Sequence, residues 1–150
     1  MLKEISDAAT NVYDSLGSGH TEIIYHRAME VELRSRGLHI ETKVPLPIYY
    51  RNFIIGYQEA DLIVYKHIQD DCGIIVELKS VAYAPRDTER NQIASYLRTR
   101  GYNNAHGVLI NFRQGRQGTH QTIDQEYFLI EGNIISRLPS EHDTQSNDTN

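Results

Sequence analysis

Apolar positions recur at helical spacing over residues 2–16 and again over residues 20–37, with the sequence GSG between the two runs. A repeat of three to four residues is typical of an amphipathic helix with one buried face. In the second run this repeat places Ile24, Ala28 and Val31 on the buried face. The chain therefore opens with two predicted helices.

The next two segments have the pattern of strands. Residues 38–50 and 53–65 are rich in β-branched and aromatic side chains, and the RN dipeptide between them predicts a hairpin turn. Pro45 and Pro47 lack a backbone N–H, which confines prolines in sheets mainly to edge strands or bends. We therefore expect a long hairpin whose first strand is an edge or is bent.

A strand, a helix and another strand follow. Residues 73–81, with the sequence GIIVELKSV, and residues 105–112 read as strands, and residues 84–101 between them read as a helix. Two strands joined through a helix in one sheet form a right-handed parallel crossover. Residues 126–138 then predict a terminal hairpin, and residues 139–150 are polar and predicted to be disordered.

The order of these elements predicts the fold class. We expect one α/β domain over residues 1–138, in which helices flank a mixed central β-sheet, followed by a tail at residues 139–150. A chain of 150 residues is long enough to enclose a substantial hydrophobic core.

Composition narrows the class of protein further. The chain shows no apolar run of the ~20 residues needed to cross a bilayer and no signal-peptide pattern at its start, so we expect an intracellular protein, cytoplasmic or nuclear, with no membrane partner. Cys72 is the only cysteine, which rules out an internal disulfide and a cysteine-ligated zinc site. The histidines lack the spacing of a zinc enzyme.

Charge is unevenly distributed. The chain carries a net charge of −5, but the segment from Lys79 to Arg116 holds seven Lys and Arg against two acids. A basic segment on an acidic protein is compatible with contacts to a nucleic-acid backbone. The alternative is that these are ordinary solvated charges.

The strand at residues 73–81 raises the question of chemistry. Side chains alternate with period two, so Glu77 and Lys79 point to the same face of a strand that is otherwise apolar. Asp61 lies in the preceding predicted strand and would converge on Glu77 if the two strands pair. Two carboxylates favour Mg²⁺ or Mn²⁺, and a neighbouring lysine can stabilise negative charge on a phosphate. The alternative is a local ion pair on a solvent-facing sheet.

Two family resemblances follow from these residues. Asp61 followed by Glu77-x-Lys79 resembles the signature of the PD-(D/E)XK nuclease superfamily, with Ala60 in place of the usual proline. The sequence GSGHTEIIY, whose Glu22 ends its G-x-G-x-x-E segment, is similar to the motif of the GxxxExxY protein family, and the similarity continues over roughly residues 5–113.

The resemblance implies a restriction-endonuclease-like core and a set of site residues. Asp61, Glu77 and Glu22 would be ligands of Mg²⁺ or Mn²⁺, and Lys79 would be the catalytic lysine beside the catalytic carboxylates. The sequence QIASY matches a Q-x-x-x-Y motif, which would place its glutamine and tyrosine at the site as well. These two are Gln92 and Tyr96.

More ordinary roles remain open for three of these residues. Glu22 also suits the first turn of a helix, where an acid interacts favourably with the helix dipole. Gln92 and Tyr96 also suit a helix surface and the edge of a core.

We therefore expect a metal-dependent nuclease that acts on nucleic acid, with DNA as the expected substrate, and binds it through the segment at residues 79–116. The sequence does not distinguish DNA from RNA. The alternative is a non-catalytic nucleic-acid-binding or regulatory module on the same fold. A homodimer or another protein partner is compatible with either function.

Overall fold

The computed structural model describes residues 1–100, 105–115, 122–131 and 134–138, apart from the side chain of Arg100. The predicted tail at residues 139–150 lies outside these ranges. In the described chain the helices are α1 (Leu2–Leu16), α2 (Glu22–Ser35) and α3 (Asp87–Arg100), and the strands are β1 (His39–Tyr50), β2 (Phe53–Tyr65), β3 (Ile74–Lys79), β4 (His106–Phe112), β5 (Ile123–Glu131) and β6 (Ile134–Leu138). None of the helices in these ranges is long and apolar enough to cross a membrane.

The strands form one mixed sheet whose spatial order follows the sequence from β1 to β6. β3 and β4 are parallel and are connected through α3, whereas every other neighbouring pair is antiparallel. Helices lie on both faces of the sheet, so the predicted α/β fold with a mixed sheet is confirmed. β1 is an edge strand of the described sheet, as its prolines predicted.

Alternation along β3 divides the core between the two faces of the sheet. Ile74, Val76 and Leu78 pack in the cluster formed with α1 and α2. Ile75 packs in the cluster formed with α3, which includes Leu97. Because side chains alternate, the remaining odd-numbered residues of β3 also point towards the α3 side of the sheet.

The predicted buried face of the second helix is correct only at Ala28, which is partly buried against the core. Ile24 and Val31 are exposed in α2, and the buried side chains are instead Tyr25, Met29 and Leu33. These three residues follow the same helical spacing, displaced by about one position. The pattern of aliphatic residues was misleading because the largest side chain on the buried face is aromatic.

Tyr25 determines this rotation because both its ring and its hydroxyl are engaged. The ring stacks on Phe112, with centroids 4.4 Å apart and planes 4° from parallel. The hydroxyl donates to the carbonyl oxygen of Gly17 at 2.6 Å and accepts from the amide nitrogen of Gln114 at 3.2 Å. Gln114 in turn accepts the backbone N–H of Gly19 at 2.6 Å. Tyr25 therefore fixes the glycine-rich turn and the first turn of α2 against the end of β4.

Tyr25→Phe tests this role, because the substitution keeps the stacked ring and removes the hydroxyl. The Gly17 carbonyl and the Gln114 amide then lose their partner, so we expect the free energy of unfolding to fall by about 1–2 kcal/mol. Urea denaturation measures it. Tyr127→Phe is the matched control, since among the described residues that hydroxyl donates to Gln125 on the same strand, and its loss should cost less. Equal losses from the two variants would contradict this role.

Candidate active site

Asp61 is positioned where the pairing of β2 with β3 ends. The paired residues of the two strands run from Val64 opposite Ile74 to Leu62 opposite Val76. Beyond it, Oδ2 of Asp61 accepts the backbone N–H of Leu78 at 2.9 Å, so a side-chain oxygen continues the hydrogen bonding of the two strands. This bond holds the Asp61 carboxylate against the segment of β3 that carries Glu77.

A local irregularity of β1 brings a further side chain to Asp61. Lys43 has a φ of 52°, in the left-handed region that non-glycine residues rarely adopt. Ile40 packs on the α1 and α2 side of the sheet and Leu46 on the α3 side, although even spacing should place both on one side. The strand therefore exchanges its faces at Lys43, whose ammonium lies 2.5 Å from Oδ1 of Asp61.

The sequence did not identify Lys43 as a site residue. A hairpin in regular register from the turn at Arg51 and Asn52 would place Asp61 opposite Thr42. The observed pairing shifts by one residue between Ile48 and Tyr49, and this shift places Asp61 opposite Lys43 instead. A bulge of one residue leaves no clear signal in the sequence, so only the structure could reveal this contact.

Glu77 is almost completely buried, at 2% exposure, and only one of its oxygens has a partner. Oε1 accepts from the ammonium of Lys79 at 2.6 Å, whereas Oε2 is buried without a hydrogen-bond partner among the described residues. Burial and then the charge of Asp61 raise the pKa of Glu77 to about 7, against the opposing effect of Lys79. An unpartnered buried oxygen on an acid of this kind favours binding of a proton or a cation.

Lys79 is the cationic partner within the site. Burial disfavours its charge, but the Glu77 carboxylate outweighs this effect and raises the pKa of Lys79. The side chain is partly exposed, so its ammonium contacts Glu77 on one side while retaining access to solvent. A charged lysine in this position can interact with an anion that approaches from solvent.

Glu22 lies in the electrostatic environment of this cluster. It occupies the first turn of α2, and the residue is exposed to solvent. Partial desolvation by the surrounding protein raises its pKa, Lys79 opposes that shift and Asp61 adds to it. However, no group of three His, Cys, Asp or Glu side chains in the described residues is arranged to hold a metal. Glu22 is therefore near the two buried acids without completing a coordination group with them.

Gln92 and Tyr96 lie one turn apart on α3, which packs on the same side of the sheet as Glu77. The amide of Gln92 donates to the hydroxyl of Tyr96 at 2.5 Å, and that hydroxyl donates to the backbone carbonyl of Glu59 at 2.7 Å. Burial and the charge of Glu77 raise the pKa of Tyr96 to about 12. Tyr96 thus ties α3 to β2 two residues before Asp61.

His26 is a second residue near the site that the sequence did not identify. Its ring is buried, and Nε2 lies 3.1 Å from the backbone carbonyl oxygen of Asp61. Nδ1 lies 3.0 Å from the carboxylate of Glu30. The only signal in the sequence is that His26 follows Glu22 by four residues and so shares its helix face.

The basic segment at residues 79–116 is less basic in the structure than in the sequence. Arg90 forms two bonds to the Glu126 carboxylate, at 2.7 and 2.8 Å, and Arg113 pairs with Asp124 at 2.8 Å. Both acids lie on β5, which is outside the segment at residues 79–116. Fold topology therefore neutralises charges that the local sequence presents as unpaired.

Other cations of this segment remain accessible. The side chains of Arg86 and Arg98 are exposed, and the guanidinium of Arg86 lies 3.8 Å from the ring centroid of Tyr83. Arg116 and the side chain of Arg100 lie outside the described residues. The observed candidates for phosphate contacts are thus Arg86 and Arg98, together with Lys79 at the site.

The chain matches a family model described as the PD-(D/E)XK nuclease superfamily over residues 1–123. The match covers most of the 150-residue chain and includes both buried acids and Lys79. No curated protein and no solved structure matches the chain. The resemblance to the superfamily is confirmed, and the narrower resemblance to the GxxxExxY family stays a prediction.

Glu77→Gln should stabilise the metal-free protein at alkaline pH. The folded-state pKa of about 7 lies above the ordinary carboxyl pKa of 4.5, so stability is lost as pH rises through that interval. Glutamine mimics the protonated acid and should recover on the order of 2–3 kcal/mol at pH 8, with a flatter pH dependence. Denaturation in the presence of a chelator, between pH 4 and pH 9, measures both effects.

Glu59→Gln is the control for net charge, because Glu59 is an exposed acid on the neighbouring strand. It removes one negative charge at the surface and leaves Lys43 paired with Asp61. If Glu77→Gln destabilised the protein at pH 8, or matched Glu59→Gln at every pH, the unfavourable burial of the Glu77 carboxylate would be refuted.

Proposed function

The chain belongs to the PD-(D/E)XK nuclease superfamily, and on that premise we propose that it is a metal-dependent nuclease that hydrolyses phosphodiester bonds of DNA. Members of this superfamily are usually nucleases. The observation that carries the proposal is the buried pair of Asp61 and Glu77, with the Lys79 ammonium 2.6 Å from one carboxylate oxygen. Packing alone gives no reason to bury two acids in the middle of a sheet.

The chemistry of the two carboxylates fits a hard divalent cation. Oε2 of Glu77 has no hydrogen-bond partner among the described residues. The carboxylate of Asp61 is held in place because its Oδ2 accepts the backbone N–H of Leu78. Mg²⁺ and Mn²⁺ prefer oxygen ligands of this kind, and we assign Asp61 and Glu77 as ligands with Glu22 as a nearby third acid. A bound cation would supply a Lewis acid and lower the pKa of water at the site.

Lys79 carries the second part of the proposal. Its bond to Glu77 holds the ammonium beside the position of the scissile phosphate, and its partial exposure lets it face that phosphate. There it stabilises the negative charge that grows on the phosphoryl group in the transition state. Its contribution should therefore fall on the rate rather than on metal affinity.

Gln92 and Tyr96 have different roles in this proposal. The hydroxyl of Tyr96 is already bonded to the Glu59 carbonyl and to Gln92, so Tyr96 positions α3 against the site and does not transfer a proton. Gln92 is only partly buried and is the member of the pair that can contact substrate. Arg86 and Arg98 supply contacts to backbone phosphates, which hold the substrate without reading its bases.

The motif GSGHTEIIY supports placing the chain in the GxxxExxY group. Its two outer members meet directly, because the hydroxyl of Tyr25 donates to the Gly17 carbonyl. This contact shapes the turn that delivers Glu22 to the site side of α2. The spacing of the motif is thus explained by the contact of Tyr25 with Gly17, which positions Glu22, a proposed metal ligand.

Metal binding can be tested without any assay of activity. Mn²⁺ should bind to the wild type and raise its melting temperature, because only the native state offers the site. Asp61→Ala and Glu77→Ala should each lose at least tenfold in affinity, whereas Lys79→Ala should bind at least as well as the wild type. Lys43→Met should bind several-fold more tightly, since it removes a cation that competes for Oδ1 of Asp61. Calorimetric titration measures all of these affinities.

Lys66→Met is the matched control for Lys43→Met, because Lys66 is an exposed lysine just beyond β2. It also removes one positive charge but no contact with Asp61, so its Mn²⁺ affinity should stay close to that of the wild type. A wild type that binds no Mn²⁺ at millimolar concentration would refute the proposed site.

Nuclease activity is tested with single-stranded, duplex, flapped and branched DNA, and with RNA, in Mg²⁺ and in Mn²⁺. We expect the wild type to cut at least one DNA substrate and Asp61→Ala, Glu77→Ala and Lys79→Ala to lose at least ~100-fold in rate. Lys66→Ala is the control that should retain full activity. Gel analysis of labelled substrates gives the rates, and binding of the same substrates is measured in parallel.

Two outcomes would replace the proposal. If the wild type binds DNA in a salt-dependent manner but cuts none of these substrates, the chain is a non-catalytic nucleic-acid-binding module on a nuclease fold. If cleavage persists when Asp61 and Glu77 are both replaced by alanine, the reaction takes place elsewhere on the molecule.

A further inference from the structure

The far end of the β1–β2 hairpin exposes an unusual amount of apolar surface. We call residues 48–57 the apolar arm. Every residue from Ile48 to Ile55 is exposed, and Phe53 and Tyr57 are 75% and 65% exposed. The exposed large hydrophobic side chains of the arm are Ile48, Tyr49, Tyr50, Phe53, Ile54, Ile55 and Tyr57.

The apolar area of the arm is comparable to the area that one partner buries in a protein–protein interface. Fully exposed side chains of this size present ~150–250 Å² each, so at the observed exposures the arm presents roughly 800 Å² of apolar surface. The largest apolar patch on an ordinary monomer is about 300–600 Å². One partner in a standard protein interface buries about 800 Å². Counted over both faces of the hairpin, the arm therefore supplies about the area that one partner of a standard interface buries.

No other part of this sequence can cover the arm. The described part of α3 reaches the hairpin at Gln58, whose amide groups bond to Ser95 and Thr99, and the exposed run lies beyond that point. The residues outside the described ranges include one large hydrophobic side chain, Tyr102. Burial of roughly 800 Å² requires several such side chains, so the cover must come from outside these 150 residues.

Charge identifies the class of molecule that covers the arm. Arg51 is the one charged residue between Lys43 and Glu59. A surface that binds nucleic acid needs several Lys and Arg to neutralise phosphates, and this one does not have them. Enrichment in aromatic residues with a single Arg, and depletion of Lys, Asp and Glu, is the composition of a protein interface core.

The edge position of β1 indicates which protein covers the apolar arm. Pro45 and Pro47 lack backbone N–H groups and so hinder pairing with another strand along the inner half of β1. No proline protects the outer half from Ile48 to Tyr50, which is the exposed part. An uncharged edge strand is complementary to a second copy of itself when the two run antiparallel about a two-fold axis. We propose that the arm is a homodimer interface and that a second copy of this chain covers it.

Such a dimer would leave both candidate active sites open. Phe53 precedes Asp61 by eight residues along β2, which corresponds to roughly 26 Å of strand. Contact between the outer halves of two arms therefore buries neither the carboxylates nor Lys79. The proposed dimer does not depend on the proposed nuclease activity, because its test measures the mass of the protein in solution and not catalysis.

Sedimentation equilibrium of the wild type at about 1–100 µM tests the proposal, since dimers form by mass action. We expect twice the mass of one chain at the upper end of this range. Ile48→Glu with Tyr50→Glu, on the outer half of β1, should give the mass of a single chain, and the paired lysine substitutions at the same positions should do the same. Val31→Glu with Ile68→Glu is the matched control, because both side chains are 70% exposed outside the arm, and this variant should remain a dimer.

Hydrogen exchange locates the contact and does not depend on any variant. The amides of residues 48–55 should exchange more slowly in the wild type at 100 µM than at 1 µM, and those of α2 should not change. A wild type that stays monomeric throughout, or arm variants that stay dimeric while folded, would overturn the proposal. Arm variants that lose affinity for single-stranded DNA while the wild type is monomeric would assign the arm to nucleic acid instead.

Discussion

Burial of two carboxylates between β2 and β3 is the constraint on which the organisation of the site depends. Each ionised acid would lose hydration on burial, and two of them also repel each other. The structure offsets this cost unevenly. Asp61 receives a backbone N–H and the ammonium of Lys43, whereas Glu77 receives Lys79 at one oxygen and no partner from the described residues at the other. The residual instability therefore resides in Glu77, where a cation would relieve it.

Contacts from the surrounding elements hold these two acids in place. Asp61 is held through the Leu78 N–H, and α3 is tied to β2 through the hydroxyl of Tyr96. Close packing of α3 on the sheet depends on Gly107, where a Cβ atom would lie 2.9 Å from the side chain of Ile93. The turn before α2 is fixed through Tyr25. The site is thus placed on rigid elements rather than on loops, which suits a cluster that must stay assembled while it is electrostatically strained.

Period-two alternation was enough to predict that Glu77 and Lys79 share a face, and the hairpin order was enough to bring Asp61 to the neighbouring strand. Sequence patterns failed where a feature depended on register or on distant partners. A one-residue shift in the β1–β2 pairing put Lys43 opposite Asp61, and acids on β5 neutralised Arg90 and Arg113. The buried face of α2 was misjudged because Tyr25 has its partners on β4 and beyond, which local periodicity does not contain.

The two lysines of the site are not equivalent, and the difference indicates which one would yield to a cation. Lys79 has an exposure of 19% and is bonded to an acid that is itself buried, so moving it would leave Glu77 still less compensated. Lys43 has an exposure of 45%, and its backbone is held in the left-handed region. An ammonium of that exposure can turn towards water, or towards Glu59 at 3.7 Å, at little cost. Under the proposed metal binding, Lys43 would be the group that neutralises Asp61 until the cation binds, and Lys79 would be the cation that stays in place.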